Sequence, residues 1–236
     1  MLKGIYIAVS GAMLKQSQVE MLSQNIANAN TTGYKKDALS FKDHLLQTEA
    51  GMVPDGRVMS ELSSSRTDLS NGTVVKTGNS LDIALEGDGM IALEGGLYAR
   101  RGDFKKGGDG YVTTHDGVNV LGEGGPIILP PDGRVIEIDS EGRISVDGVE
   151  IDKIKIVAFG KDAPPTKYGE GQFTANGPGE ESAASVKQGY LEMSNVNAVK
   201  EMVRMIEAMR EFEAYQKAIH MFDEAASKVN NELGRL

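Results

Sequence analysis

Acidic side chains are the groups with which this sequence could most simply do chemistry. Glu180 with Glu181, and Asp82 with Glu86, could supply a general acid and a general base. Neither pair is accompanied by a phosphate-binding loop, a dinucleotide-binding glycine motif, a nucleophile elbow or a zinc-protease motif, because the sequence contains none of these. We therefore interpret both pairs as solvated surface charge, and we predict no catalytic residue and no enzymatic activity.

Ligand-binding groups are also few. The sequence has no cysteine and three scattered histidines, His44, His115 and His220, so a Cys/His zinc site cannot be built. Asp-Gly pairs recur, but without the spacing of a calcium loop or of a calcium-binding solenoid. We expect no metal, no cofactor and no small-molecule substrate. The net charge of −9 also argues against nucleic acid as a partner.

Two other sets of residues allow a functional and a structural interpretation. Tyr98 and Arg100 could grip a ligand, but on a hairpin such residues more commonly stack across strands. The methionines of the C-terminal segment could form an adaptable binding groove, although packing is the commoner role. These methionines are Met202, Met205, Met209 and Met221. We favour the structural interpretation for both sets.

Glycine and proline divide the chain into three parts. Of the 29 glycines, 25 lie in residues 46–189, together with all seven prolines. In that middle part, short β-branched runs alternate with Asp-Gly and Gly-Gly turn signals, which supply the positive φ angles of tight hairpins. We predict at least eight antiparallel strands there and helices at both ends of the chain. The predicted fold class is α+β.

The N-terminal segment has the apolar stripe of an amphipathic helix. The stripe comprises Ile5, Val9, Ala12, Val19, Leu22 and Ile26. Because it continues past any cleavage point, we interpret residues 1–35 as a helical segment and expect export without a cleaved signal peptide. No stretch reaches the length of about 18 apolar residues that a membrane span requires, so we expect no membrane insertion.

The C-terminal segment, residues 190–236, carries apolar residues at steps of three and four. The stripe includes Val199, Met202, Ile206, Met209, Phe212, Ile219, Phe222 and Val229. Ser194 and Asn195 stand where an N-cap is expected. The helix should be roughly 50 Å long at 1.5 Å per residue, so its stripe needs partners beyond the β-rich part.

The N-terminal helix ends in an unusual stretch, "NIANANTTGYKK", at residues 25–36. Glycine ends a helix by accepting the left-handed conformation, and Asn and Thr offer side chains to the freed backbone groups. The stretch predicts a helix stop that turns the chain towards the β-rich part.

Four segments resemble the rod and hook proteins of the bacterial flagellum. The stretch above matches their N-terminal signature at Asn25, Ala27, Asn28, Thr31, Gly33, Tyr34 and Lys35. The resemblance continues in "SLDIALEGDGMIAL", in "LYARRGDFKKGGDGYVTTHDGVNVLGEGGPIILP" and in "GYLEMSNVNAVKEMVRMIEAMREFEAYQKAIHMFDE". These segments span nearly the whole chain in the order found in that family.

The resemblance implies a structural subunit of the rod in the basal body, an axial drive shaft that crosses the periplasm and transmits torque for motility. Expected partners are copies of the chain, other rod proteins and the flagellar type III export apparatus. The implied domains are an N-terminal axial helix (1–35), an extended linker (36–72), a β-rich outer domain (73–189) and a C-terminal axial helix (190–236). The two helices would pack as an antiparallel, coiled-coil-like axial domain, with residues 25–35 as its hinge.

Chain length and the C-terminal segment make the chain more similar to proximal-rod than to distal-rod proteins. We further expect that the terminal helices stay loose during export and order only on docking, because isolated helices are marginally stable. The alternatives from other classes are a secreted β-rich binding or hydrolytic module and a helical adaptor that dimerises through its C-terminal helix. The adaptor would form a closed dimer, whereas the rod protein polymerises.

Overall fold

A computed structural model describes residues 2–45, 58–160, 163–169 and 171–233. Two helices and antiparallel strands make the fold α+β, as the sequence predicts. The chain divides into two compact units. Unit 1 comprises Met1–Ala27, Asp37–Asp68 and Asn197–Leu236, and unit 2 comprises Asn28–Lys36 and Leu69–Val196.

Unit 1 contains both helices and one pair of strands. Helix α1 spans Leu2–Ala27, and helix α2 spans Ala198–Leu233, which is about 54 Å at 1.5 Å per residue. Strands β1 (Asp37–Leu45) and β2 (Val58–Thr67) pair antiparallel. The segment predicted as an extended linker, 36–72, therefore includes paired strands that cluster with the helices. Neither of them stands out in the sequence, because polar Ser, Asp and Glu residues interrupt their apolar alternation.

The contacts between α1 and α2 show that the two helices are antiparallel. A Cβ placed on Gly4 would lie 3.0 Å from the ring of Phe222, and one on Gly11 would lie 2.6 Å from the ring of Tyr215. Further along, Lys15 forms an ion pair with the exposed carboxylate of Glu211. Glycine at positions 4 and 11 thus gives two aromatic rings of α2 direct access to the backbone of α1.

Unit 2 is built from short antiparallel strands. These are β3 (Val74–Lys76), β4 (Ile83–Glu86), β5 (Met90–Leu93), β6 (Leu97–Ala99), β7 (Lys105–Lys106), β8 (Val112–Thr113), β9 (Ile136–Ile138), β10 (Arg143–Val146), β11 (Val149–Lys153), β12 (Ile156–Ala158), β13 (Thr166–Gly169), β14 (Gln172–Thr174), β15 (Glu180–Glu181), β16 (Ser185–Gln188) and β17 (Tyr190–Glu192). The largest sheet has the order β13-β14-β6-β5-β12-β15. A second has the order β11-β10-β9, and the remaining pairs are β16-β4, β17-β3 and β7-β8.

Turn residues fix these pairings as the sequence indicates. Asp147 and Gly148 connect β10 to β11 with φ values of 51° and 82°, the two positive angles of a tight hairpin. Gly95 and Gly96 serve the β5-β6 hairpin in the same way. The aliphatic residues between these turns form one large buried cluster that draws on strands throughout the unit. Its fully buried members include Ile83, Ile91, Leu93, Val120, Ile127, Leu129 and Ile144.

Candidate functional site

The end of α1 is tied to the start of β1 by one buried amide. The side chain of Asn25 donates from Nδ2 to the carbonyl of Asp37 at 2.9 Å and accepts from the N–H of Asp37 at 3.0 Å. These two hydrogen bonds resemble the reciprocal N–H···O=C bonds between two paired strand residues. They also satisfy the side-chain amide of Asn25, which is 1% exposed. Asn25 therefore fixes where β1 begins relative to the helix end.

The following turn needs a glycine. The N–H of Thr31 donates to the carbonyl of Asn28 at 3.2 Å, and the Thr31 hydroxyl bonds the Asn28 side chain at the same distance. Gly33 has φ of 64°, and a Cβ there would lie 2.5 Å from the backbone nitrogen of Arg101. The N–H of Gly33 donates to the carbonyl of Glu192 at 2.7 Å. Position 33 therefore combines a left-handed backbone with a close approach of two other segments.

Lys35 belongs to unit 2 and is almost completely buried. Its Nζ donates to the carbonyl of Ser70 and to Oε1 of Glu192, both at 2.7 Å. Both side chains of this ion pair are 1% exposed. The N–H of Gly72 donates to the same Glu192 oxygen at 2.8 Å.

Arg100 reaches the same carboxylate from β6 and its following turn. Its Nε donates to Oε2 of Glu192 at 2.6 Å. Its remaining nitrogens donate to the carbonyl of Gly89 at 2.6 Å, the carbonyl of Leu85 at 2.8 Å and the side chain of Asn71 at 3.1 Å. We call Lys35, Arg100 and Glu192 the junction cluster. It holds two cations and one anion.

The junction cluster keeps Glu192 ionised. Burial by itself would raise the pKa of Glu192, but the charge of Arg100, the N–H of Gly72 and the ammonium of Lys35 outweigh it. The pKa of the carboxyl is therefore lowered from its ordinary value of 4.5.

The junction cluster also gathers the segments by which the chain enters and leaves unit 2. The N–H of Lys36 donates to the side chain of Asn195 at 2.8 Å, and Asn195 in turn donates to the carbonyl of Ser70 at 3.1 Å. With the bonds of Lys35 and Gly33, these contacts join residues 28–36, 69–72 and 192–195. All three segments lie next to a boundary between the units along the chain.

Two sequence interpretations change at this site, those of Arg100 and of the N-cap of α2. Tyr98 packs edge-on against the ring of Phe159, with centroids 4.9 Å apart, while Arg100 binds Glu192 and does not stack across strands. The N-cap of α2 is Asn197, whose side chain accepts from the N–H of Lys200 at 3.0 Å. The prediction of Ser194 and Asn195 was wrong because the Asn195 side chain is engaged by Lys36 and Ser70.

The predicted stripe of α1 has mixed exposure. Ala12 and Leu22 are buried, whereas Ile5, Val19 and Ile26 are half-buried. Val9 is exposed and belongs with Tyr6, Ile7 and Met13, which are exposed as well. Among the motif residues, Asn25, Gly33 and Lys35 are buried, Asn28, Thr31 and Tyr34 are half-buried, and Ala27 is exposed. The Tyr34 ring lies 4.2 Å from the ammonium of Lys167.

The predicted stripe of α2 divides into two groups. Phe212, Ile219 and Phe222 are half-buried, and Phe222 contacts α1 at Gly4. Val199, Met202, Ile206 and Met209 are all exposed, at fractions between 45% and 72%. The side chain of Val229 lies outside the described residues. Among residues 198–228 of this helix, whose side chains the structure describes, the fully buried ones are Glu201 and Ala208, both 2% exposed.

Sequence reasoning missed Glu192, Glu201 and Ala208 as well as the ring of Tyr215. The small residues Gly4, Ala8 and Gly11 were the available signal for Tyr215, because their spacing of four and three places them on one helical face. No comparable signal identifies Glu192, because its partner Lys35 is 157 residues away.

The described part of the chain shows no further candidate centre. It contains no group of three His, Asp or Glu side chains placed to hold a metal ion. Neither described helix has the length and apolarity needed to cross a membrane. Unit 2 has a cavity of about 680 Å³, and its lining includes Lys153, Glu123 and Glu181. The ammonium of Lys153 pairs with Glu123 at 2.9 Å and with Glu181 at 3.3 Å.

Three family models match the chain, and all describe flagellar rod and hook proteins. Residues 5–35 match the flagella basal body rod protein model, and residues 84–146 match the flagellar hook protein FlgE/F/G D1 domain. Residues 187–232 match the flagellar basal body rod FlgEFG protein C-terminal model. Each residue of the junction cluster falls in a different one of these matches. These matches show that the chain is similar to the class of flagellar rod and hook proteins.

Relatives narrow this class. The flagellar basal-body rod protein FlgG of Agrobacterium fabrum is 34% identical over 98% of this chain and 100% of its own length, in an alignment of 264 positions. FlgG of Bacillus subtilis is 33% identical over 98% of this chain and 99% of its own length, in 261 positions. The rod protein FlgF of Mesorhizobium japonicum is 31% identical over 89% of this chain and 88% of its own length, in 219 positions. The chain belongs to the flagellar basal-body rod protein family.

Proposed function

We propose that the chain is a structural subunit of the flagellar basal-body rod that assembles through its terminal helices. The observation that carries this proposal is the exposed apolar face of α2. Val199, Met202, Val203, Ile206 and Met209 are exposed over three turns of a helix that elsewhere packs on α1. Large apolar surface of this kind marks a protein interface. Family membership identifies the assembly as the rod.

In this proposal α1 and α2 form an antiparallel, coiled-coil-like axial domain, and unit 2 is the outer domain. The contacts of Gly4 with Phe222 and of Gly11 with Tyr215 support the antiparallel pairing. Residues 25–35 act as the hinge segment, whose ends are held by Asn25 and Lys35. The partners are copies of the chain and other rod proteins, and the location is the periplasmic part of the basal body. Delivery is by the flagellar type III export apparatus.

Within the rod we propose a proximal position. The alignments with FlgG relatives extend over 264 and 261 positions, more than the 236 residues of this chain, so those relatives carry insertions that it lacks. The alignment with FlgF of M. japonicum needs only 219 positions for 89% of the chain. This difference favours the shorter, proximal type, although the FlgG relatives match the chain along its length as well.

Deletion of the coding gene from the organism that carries it tests the proposal. We expect non-motile cells whose purified basal bodies lack a complete rod in electron micrographs, and restoration of both by the intact gene. Motile deletion cells with complete rods would contradict the proposed function. Labelling with an antibody against unit 2 then separates a proximal from a distal position along the rod.

A further inference from the structure

Asparagine followed by glycine occurs twice in the sequence, at Asn71–Gly72 and at Asn176–Gly177. This dipeptide is especially reactive towards deamidation, because glycine has no side chain to hinder the attack of its backbone nitrogen on the preceding side-chain amide. Both pairs belong to unit 2 and lie outside its strands. Their intrinsic reactivity is the same, so their surroundings decide which of them reacts in the folded protein.

The surroundings of Asn71–Gly72 hold both reacting groups. The N–H of Gly72, whose nitrogen would be the nucleophile, donates to Oε1 of Glu192 at 2.8 Å. The side-chain oxygen of Asn71 accepts from Nη2 of Arg100 at 3.1 Å. A Cβ placed on Gly72 would overlap the carbonyl oxygen of Met193, so the backbone here is packed against another segment. The Gly72 nitrogen therefore has to break a bond to the junction cluster before it can turn towards the Asn71 side chain.

The surroundings of Asn176–Gly177 are open. Both residues are exposed, in the connection between β14 and β15. Gly177 has φ of 126°, and a Cβ there would have no atom within 4 Å. Among the hydrogen bonds of the described residues, none involves the Asn176 side chain or the N–H of Gly177. Neither reacting group is held in place, so the nitrogen can approach the amide without losing a contact.

We propose that Asn176 is the site at which the folded protein deamidates, while the junction cluster protects Asn71. The Gly177 nitrogen loses its proton and bonds to Cγ of Asn176. The bond from Cγ to the side-chain nitrogen breaks, and that nitrogen leaves as ammonia. Water then opens the cyclic succinimide at either of its carbonyl carbons and leaves one carboxylate, which belongs to aspartate or isoaspartate.

The modification changes an acidic part of the chain. Each event adds one negative charge to a chain whose net charge is −9, close in sequence to the exposed carboxylates of Glu180 and Glu181. Isoaspartate also carries the backbone through the former side chain, which lengthens the connection to β15 by a methylene group. Because the reaction is spontaneous and needs only water, the modified fraction increases with the age of each molecule.

Peptide mapping of the full-length protein by mass spectrometry tests this inference. The folded protein is kept at mildly alkaline pH, and the deamidated fractions at residues 71 and 176 are followed over time. We expect Asn176 to react at least about tenfold faster than Asn71, the factor that a hydrogen bond to a charged group supplies. In a parallel sample unfolded in guanidinium chloride, we expect similar rates at both residues, because the contacts of Gly72 are lost.

The variant Asn176→Gln is the control for the site. Its longer side chain closes a ring much more slowly, and the exposed position allows the fold to be retained, which circular dichroism checks. We expect this variant to lose most of the isoaspartate that the wild-type protein accumulates. Equal rates at Asn71 and Asn176 in the folded protein, or a faster rate at Asn71, would overturn the proposal. An unchanged yield of isoaspartate in Asn176→Gln would also overturn it.

Discussion

The two units of this protein bury their apolar residues in different ways. Unit 2 encloses large aliphatic side chains such as Ile91 and Leu93, which are completely inaccessible to solvent. Among the unit 1 side chains that the structure describes, in residues 4–27, 37–39, 66–68 and 197–228, the buried apolar ones are three alanines and one leucine: Ala8, Ala12, Ala208 and Leu22. A fully buried Leu or Ile contributes about 1.5–3 kcal/mol, whereas alanine contributes far less. Unit 2 is therefore stabilised by its own aliphatic core, whereas large apolar side chains of α2 in unit 1, such as Ile206, are exposed to solvent.

Polar groups show a matching difference. Unit 2 buries the Lys35–Glu192–Arg100 cluster with hydrogen bonds to each member, so its charges also specify one arrangement of the chain. In unit 1 the ion pair between Lys15 and Glu211 lies in contact with solvent. Exposed ion pairs of this kind contribute at most about 1 kcal/mol.

The largest expected effect is the loss of assembly when a charge is placed in the exposed apolar face of α2, which comprises Val199, Met202, Val203, Ile206 and Met209. We expect Ile206→Asp to abolish motility and rod incorporation while the free energy of unfolding of unit 2 stays unchanged. Ile128→Asp is the matched control, because Ile128 is 49% exposed and Ile206 is 50% exposed. Swimming assays and denaturant unfolding measure the two properties. Normal motility of Ile206→Asp would remove the basis of the proposed interface.

Next in size is the effect of removing the anion of the junction cluster. Glu192→Gln removes the buried carboxylate that both Lys35 and Arg100 contact, so we expect unit 2 to lose about 3–5 kcal/mol of unfolding free energy. Lys35→Met leaves Arg100 and Glu192 as a neutral pair, and the expected loss is about 1–3 kcal/mol. Urea unfolding followed by circular dichroism measures both. Equal losses in the two variants would contradict the charge argument.

A smaller loss of stability is expected when the glycine at position 33 is replaced, and Gly78 provides the control. Gly33→Ala should cost about 2–4 kcal/mol, because it combines a positive φ with overlap against the backbone of Arg101. Gly78 has φ of 80° and nothing within 4 Å of a Cβ, so Gly78→Ala should cost only about 1 kcal/mol. Thermal unfolding of both variants provides the comparison, and similar melting temperatures would argue against the close approach at residue 33.

The smallest expected effect is a dependence on pH. The pKa of Glu192 is lower in the folded state than its ordinary value of 4.5, so its contribution to stability is complete above that value. The contribution is lost as the pH falls through the lowered, folded-state pKa. We therefore expect the stability difference between the wild-type protein and Glu192→Gln to be constant near neutrality and to narrow at acidic pH. A difference that widens on acidification would have the wrong sign.

Local signals in the sequence predicted the elements better than their contacts. Alternating apolar residues and Asp-Gly turns predicted the antiparallel strands, and the stop at residues 25–36 agrees with the end of α1 at Ala27. The apolar periodicity of α2 predicts a single buried face from Val199 to Val229. The structure separates Phe222, beside α1, from Ile206, which is exposed, because α1 covers only part of the circumference of α2.

The junction cluster could not be predicted from one sequence. The sequence identifies Lys35 as a motif residue and predicts that Arg100 stacks across strands, but it gives no indication that both contact Glu192. These three residues come together only through the tertiary fold, and periodicity or turn chemistry carries no information about pairs so far apart along the chain. The β1–β2 pair escaped prediction for a related reason, since its polar strands contact each other and α1 only in the folded chain.

Hydrogen exchange, read by mass spectrometry, tests the central claim most directly. Peptides from residues 198–210 of α2 and from β5 are compared in the purified monomer and in isolated basal bodies. The account predicts fast exchange in the α2 peptides of the monomer, slow exchange in those of the assembled rod, and slow exchange of β5 in both. Equal protection of α2 and β5 in the monomer would show that the helix pair is stable alone, and would contradict the claim that neighbouring copies complete it.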